Sequence, residues 1–376
     1  MRRHTIAPRP NWQGRVEESG LTWHGDGSYW NESAFWELSA AEVDQIEAAT
    51  NELHQRCIDA AGHIIDNKRY AEFGIPAAAI PLIEWSWQQK PPSIYGRFDL
   101  AFDGMSPPRL LEYNADTPTC LLETAVTQWN WLEDKFPARD QFNSIHESLI
   151  AHWKEMKPWL NGTFVHCASM DDMEDGTTVT YLLDTLVQAG LEGGNLPIGE
   201  IGWHRDLQIF VDSLNVPIKT IFKLYPWENM VREPFFENLW PTRESTMWIE
   251  PAWKLLLSGK GILAALWELF PGHPNLLPAY MNSPRFHIVD NCVSKPVFGR
   301  QGEGIKVKAG GQTHDDGLVI EGPRVFQQFH ETKQPDGIRP TIGSWIIGQA
   351  AHGMGIRETD GLVAGNLSRF TPHLFG

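Results

Sequence analysis

One stretch, YGRFDLAFDGMSPPRLLEYNADTPT (Tyr95 to Thr119), constrains the chain more tightly than any other. Two short runs, RFDLAF and RLLEYN, flank the turn-forming segment DGMSPP, which predicts a β-hairpin turning at Gly104 to Pro107. Side chains alternate along a strand, so Arg97 shares a face with Asp99, and Glu112 with Asn114. Opposed residues of an antiparallel pair keep a constant sum of residue numbers. That sum is the same for Asp99 with Glu112 and for Arg97 with Asn114, so one register puts all four polar groups on one face. A slip of one residue destroys the arrangement. Two carboxylates and an amide oxygen beside an arginine suit a hard cation such as Mg²⁺ carrying phosphates. They equally suit a solvated sheet face with cross-strand ion pairs, and the hairpin alone does not choose.

Composition narrows the partners. Forty-seven acidic against 31 basic residues give a net charge of −16, which argues against nucleic acid or an anionic membrane surface. The charge is compatible with a cationic substrate such as a polyamine. No apolar run approaches the roughly 20 residues of a membrane span, and the amino terminus, MRRHTIAPRPNW, lacks the apolar stretch of a secretory signal. Cys57, Cys120, Cys167 and Cys292 are widely spaced, which predicts reduced thiols in a cytoplasmic protein. Seventeen tryptophans supply anchors for a core or a subunit interface, so a homo-oligomer stays open. With 376 residues the chain has room for about two to three domains.

Along the chain, a Ser-x-x-Glu start and helical apolar spacing predict a helix over Ser39 to Ile65. TCLLETAVTQWNWLEDKF and FNSIHESLIAHWKEMKPWL predict two more. GTFVHCAS followed by DGTTVTYLLDTLVQAGL predicts the strand and helix of an α/β unit, and IKTIFKLYPWENMV a strand leading into a turn. A helix-rich segment ends at Pro271, and short strands with glycine-rich turns follow to the carboxyl terminus.

The second constellation is VSKPVFGRQGEGI (Val293 to Ile305), where Lys295 at a strand end precedes Gly299, Gly302 and Gly304. Glycines let backbone N–H groups approach phosphate oxygens, and a lysine adds a compact positive charge. The spacing matches neither a P-loop nor a dinucleotide fingerprint, and an ordinary β-turn has the same composition. Lys260 in SGKGIL is a further lysine. VFQQF places Gln327 and Gln328 in an apolar strand, as a segment reading an adenine edge or as buried structural amides. GMGIRETDG offers Arg357, a guanidinium suited to a bidentate phosphate contact or to a surface hairpin tip.

Taken together, YGRFDLAFDG…PRLLEYNADTPT, EPAWKLLLSGKGILAALWELFPGHPNLLP, SKPVFGRQGEGI, QQF and GSWIIGQAAHGMGIRE…NLSRFTPH resemble the glutathionylspermidine synthase family, most closely its stand-alone bacterial branch of acid–amine ligases. The resemblance runs from RPNWQGRVEE to the end. It implies an α+β protein with an ATP-grasp fold, comprising a pre-ATP-grasp-like α/β portion and a β-rich glycine-loop lid. The implied division is an α/β core over 1–250 with the substrate side and the catalytic hairpin 95–119, a nucleotide lid subdomain over 251–330, and strands over 331–376 returning to the core.

The resemblance also implies roles. Asp99, Glu112 and Asn114 would bind Mg²⁺ on ATP phosphates, Arg97 and Arg357 would act on the transferring phosphate, and Lys260 and Lys295 would hold the nucleotide phosphates. Gly299, Gly302 and Gly304 would form the loop above them, and Gln327 or Gln328 would lie beside the adenine. Thr117, Thr119 and Cys120 would contact the acid substrate, Cys120 without serving as a catalytic thiol. The implied reaction joins a small carboxylate, glutathione or another peptide, to an amine such as a polyamine, through an acyl phosphate. The bifunctional members carry an amidase domain that this sequence lacks, so hydrolysis of the amide is not expected. Thr117, Thr119 and Glu358 depart from the residues of those members, which leaves the acid and amine open. A catalytically silent Mg·ATP-binding sensor, and a metal-assisted hydrolase built on Asp99 and Glu112, are the competing readings. The second has no use for two distant lysines and a glycine loop.

Overall fold

The structure, a computed structural model, describes residues 1–332, 334, 336–365 and 368–376. Asn366 and Leu367, which open the NLSRFTPH segment of the last quoted motif, lie outside the described residues. The fold mixes helices with several sheets.

The hairpin forms as its alternation predicts, from Tyr95–Ala101 and Arg109–Asn114. Arg97 opposes Asn114 and Asp99 opposes Glu112, the register of constant sum. Beyond that point the pairing shifts and Leu100 faces Leu110, so Leu111 is the extra residue of a β-bulge. The hairpin is not free-standing. Tyr95–Ala101 pairs antiparallel with Arg339–Ile347, which pairs with Ala350–Thr359 and through it with Arg369–Thr371, completing a five-stranded sheet. Tyr95–Ala101 and Arg339–Ile347 are buried along their whole length, because helices and loops cover both faces of the sheet's centre.

The helix expected from Ser39 spans Ala40–Asp66. The Ser39 hydroxyl accepts from the Glu42 N–H while the Glu42 carboxylate accepts from the Ser39 N–H at 2.8 Å, so two otherwise orphaned donors are satisfied. Its apolar stripe, including Val43, Ile46, Leu53, Cys57 and Ile64, packs against the five-stranded sheet and the helix Ile262–Leu269. At about 1.5–3 kcal/mol for each large side chain buried, this stripe fixes the helix to the sheet.

The α/β unit appears as a four-stranded parallel sheet ordered Met247–Ile249, Thr220–Leu224, Phe164–Ser169 and Glu192–Pro197. Met173–Gln188 is the crossover helix between Phe164–Ser169 and Glu192–Pro197, and it starts earlier than its apolar spacing predicts because Asp172 caps it by accepting from the Asp175 N–H. The β-rich remainder includes a second five-stranded sheet, antiparallel throughout, ordered Ala279–Met281, Arg324–Gln328, Cys292–Pro296, Lys306–Ala309 and Gln312–Asp315. The glycine-rich stretch connects Cys292–Pro296 to Lys306–Ala309, above a small core of Ile305, Val307 and Ala309. No helix among the described residues is long and apolar enough to cross a membrane.

Candidate active site

The two five-stranded sheets meet over one polar cleft. The hairpin lends it Arg97, Asp99, Glu112 and Asn114, and the chain leaving the hairpin adds Thr117 and Thr119. The second sheet contributes Lys295, Gln327 and Gln328, the glycine loop Gly299 and Gly302, and the strand Ala350–Thr359 contributes Arg357. Lys260 enters just ahead of the helix Ile262–Leu269. Residues more than 250 positions apart thus share one cavity. Two expected members do not line it: Gly304 donates its N–H to Asp316, and Cys120 lies buried beneath Thr119.

Within the cleft every candidate metal carboxylate is matched by the protein's own cations. Arg97 Nε donates to Asp99 Oδ1 at 2.8 Å, and Arg357 Nη2 donates to Asp99 Oδ2 at 2.5 Å. Gly343 opposes Asp99 on the neighbouring strand, and a Cβ there would stand 3.1 Å from Arg97 Cδ, so the absent side chain is what lets Arg97 lie flat. Glu112 Oε2 is 3.2 Å from Lys260 Nζ, and its Oε1 accepts from the Asn114 amide at 3.0 Å. Burial would raise the Glu112 carboxyl, but Lys260 and Lys295 outweigh it and hold the group well below the usual carboxylate range. For Arg97 burial opposes the charge, and Asp99, Cys120 and Glu112 together more than offset it.

Lys295 is buried, and its ammonium donates to Leu111 O and to Gln327 Oε1, both at 2.8 Å. The hairpin bulge exposes that Leu111 carbonyl. Burial pushes the Lys295 ammonium down to about 8, against the partial support of Glu112. Gln327 also donates to Leu110 O at 2.8 Å, so it ties the second sheet to the hairpin. Gln328 is less enclosed and lines the same cavity. Of the two glutamines, Gln328 therefore keeps its amide free of these ties.

The donor set fits a magnesium-bearing triphosphate. Among the described residues no group of three His, Cys, Asp or Glu side chains is placed to hold a metal alone. Two carboxylates with the Asn114 oxygen would therefore leave the shell to be completed by phosphate oxygens, the usual way Mg²⁺ is bound. Lys260, Lys295, Arg97 and Arg357, which pair with or face those carboxylates now, are the groups such phosphates would meet.

The wall next to Thr117 holds residues that motif reading passed over. Arg300, inside the quoted GRQGEG, donates from Nη1 and Nη2 to Thr117 Oγ1 at 3.0 Å. Glu174 and Glu228 also line the cavity, and burial raises both carboxyls. Glu174 lies in the capped first turn that the apolar spacing does not reveal, and Glu228 in a PWE turn with no chemical signature. Glu358, one of the departures in sequence, points to the far side of its strand. It is fully buried there, accepting from Arg3 Nε and Trp36 Nε1, both at 2.7 Å. It therefore clamps the amino-terminal strand on the side of its strand away from the cleft. Burial and Glu123 push the Cys120 thiol up despite Arg97, which suits packing and not a nucleophile.

Fold and cleft together define an α+β protein in which paired carboxylates, lysines and arginines converge under a glycine loop. The model of the glutathionylspermidine synthase preATP-grasp family matches residues 3–376, and the chain belongs to that family. It is 42% identical over 93% of its length to a Haemophilus influenzae protein named "Putative acid--amine ligase", covering 92% of that protein. It is 28% identical to trypanothione synthetase of Crithidia fasciculata, over 85% of this chain and 53% of the relative. It is 25% identical to the bifunctional glutathionylspermidine synthetase/amidase of Escherichia coli, over 90% of this chain and 58% of the relative. The chain thus spans little more than half the length of these last two.

Proposed function

We propose that the protein is an ATP-dependent carboxylate–amine ligase with an ATP-grasp-type nucleotide cleft. One observation carries the reading: Asp99 lies between Arg97 and Arg357, and Glu112 beside Lys260, in a single cleft under the glycine loop. Names of relatives across the family, acid–amine ligase and two synthetases, support the same reaction class.

In this reading Asp99, Glu112 and Asn114 hold Mg²⁺, which when bound neutralises phosphate charge and orients the γ-phosphate. Lys260 and Lys295 hold the nucleotide phosphates below a loop containing Gly299, Gly302 and Gly304, and Gln328 faces the adenine while Gln327 fixes Lys295. Arg97 and Arg357 stabilise the phosphoryl group as the substrate carboxylate attacks it, offsetting the repulsion between two anions. Thr117 and Thr119 face the acid, with Cys120 packing beneath them. An amine then attacks the acyl phosphate, phosphate leaves, and an amide forms; both nucleophiles come from substrates. The substrates we favour are glutathione or a similar small peptide acid and a polyamine. The chain divides accordingly into a core over 1–250, a nucleotide subdomain over 251–330, and strands over 331–376 that return to the core.

The test is release of ADP and phosphate from Mg·ATP on addition of glutathione with spermidine, extended to panels of peptide acids and polyamines. Release that requires both an acid and an amine is expected. Tight Mg·ATP binding with no stimulation by any pair would instead favour a silent nucleotide-binding protein.

A further inference from the structure

Glu228 stands on the cavity wall at the edge of Thr117, in the short helix Trp227–Met230. Its Oε1 is 3.5 Å from Arg300 Nη1, and Arg300 is already engaged with Thr117. Its Oε2 is sealed from solvent and takes no hydrogen bond from any described residue. A buried acceptor left without a donor costs about 1–3 kcal/mol, and more when charged, and because Glu228 lines the cavity, the cleft is the side from which a donor can reach its carboxylate. The charged groups around it do not supply one. Lys223 Nζ is committed to Asp116 at 2.6 Å and to Tyr225 O at 2.8 Å, Asp116 is taken up by Lys223 and the Trp227 N–H, and Glu174 brings a further carboxyl to the same cleft.

We infer that Glu228 receives the protonated amine of the second substrate and takes its proton before attack. This rests on the ligase reading above. The ammonium N–H donates to Glu228 and its proton passes to the carboxylate, freeing the nitrogen lone pair. That lone pair forms the C–N bond at the acyl carbon as the C–O bond to phosphate breaks, with its electrons leaving on phosphate. The second proton of the new N–H₂⁺ group goes to the departing phosphate, and Glu228 returns its proton to solvent, so nothing beyond ATP, acid and amine is consumed. Burial and the nearby Asp116 charge raise the Glu228 carboxyl against the pull of Arg300, which suits a group that must accept a proton.

Hydroxylamine separates the steps, since it is uncharged near neutral pH and needs no base to attack an acyl phosphate. Wild type, Glu228→Gln and Glu228→Asp are compared with Mg·ATP and glutathione, or the acid that the panel selects, using hydroxylamine or spermidine as nucleophile. Expected for Glu228→Gln is unchanged hydroxamate formation, with amide formation about 100-fold slower or worse, the usual range of a lost general base. Its amide rate should recover with rising pH as the amine deprotonates unaided, and Glu228→Asp should restore part of the neutral rate. If wild type makes no hydroxamate with any acid, the ligase reading fails and this inference falls with it. If wild type makes hydroxamate and Glu228→Gln loses hydroxamate and amide equally, or keeps the amide rate, the role of Glu228 alone is overturned. Mg·ATP binding by each variant, followed calorimetrically, reports folding.

Discussion

Replacing Lys295 by methionine should leave the stability of the ligand-free protein nearly unchanged near neutral pH while weakening its hold on nucleotide. The ammonium is buried and its proton affinity falls from the ordinary 10.5 to about 8. Each tenfold step in proton affinity is about 1.4 kcal/mol, so keeping the group charged near neutral pH costs about 3 kcal/mol relative to water. Methionine fills nearly the same volume and removes that cost. It also takes the donor away from Leu111 O and Gln327 Oε1, at about 1–3 kcal/mol for each buried acceptor left unpaired. The two contributions nearly cancel, so Tm near neutral pH should move by no more than a few degrees. The pH sign follows from the depressed value. The lysine's destabilisation is fully present below about 8 and fades as pH rises toward 10.5, so the variant should lose stability relative to the wild type over that window. Mg·ATP affinity should move the other way, by about 1.5–3 kcal/mol for a lost charge-assisted hydrogen bond. Denaturant unfolding at several pH values and calorimetric titration with Mg·ATP measure both. A variant destabilised by several kcal/mol with unaltered nucleotide affinity would refute the reasoning, because Lys295 would then be a structural cation.

Glu112→Gln should abolish the gain in nucleotide affinity that Mg²⁺ gives over a chelator, since the carboxylate between Lys260 and Asn114 is lost; titrations with and without Mg²⁺ check it. Glu358→Leu should cost about 3–5 kcal/mol in denaturant unfolding because Arg3 and the Trp36 N–H lose a buried partner, yet leave Mg·ATP affinity of the folded protein unchanged. Ser39→Ala should cost about 1 kcal/mol through loss of the capping box, seen in the same unfolding assay without effect on binding.

Much of the hairpin is legible in the sequence. Period-two alternation and the turn residues are enough to oppose Arg97 to Asn114 and Asp99 to Glu112, because both act within a few residues of chain. The bulge at Leu111 was not, since it depends on where the turn closes, and it is the bulge that offers Leu111 O to Lys295. The capped helix from Ser39 was legible for the same local reason. The first turn of Met173–Gln188 was missed because polar Asp172 and Glu174 break the apolar spacing that reveals the rest.

Sequence by itself determined which side chains stand on one face of the hairpin, where the long capped helix begins, and that Lys295 precedes a glycine-rich turn. Those are consequences of backbone geometry and neighbouring residues. Only the tertiary structure decided that Arg357 meets Asp99 and that Glu112 meets Lys260. It also decided that Gln327 locks Lys295, that Glu358 turns its back on the cleft, and that Glu228 keeps an oxygen without a donor. Each of these joins strands or loops far apart in the chain, and the packing of two sheets, not any local pattern, brings them within hydrogen-bonding reach.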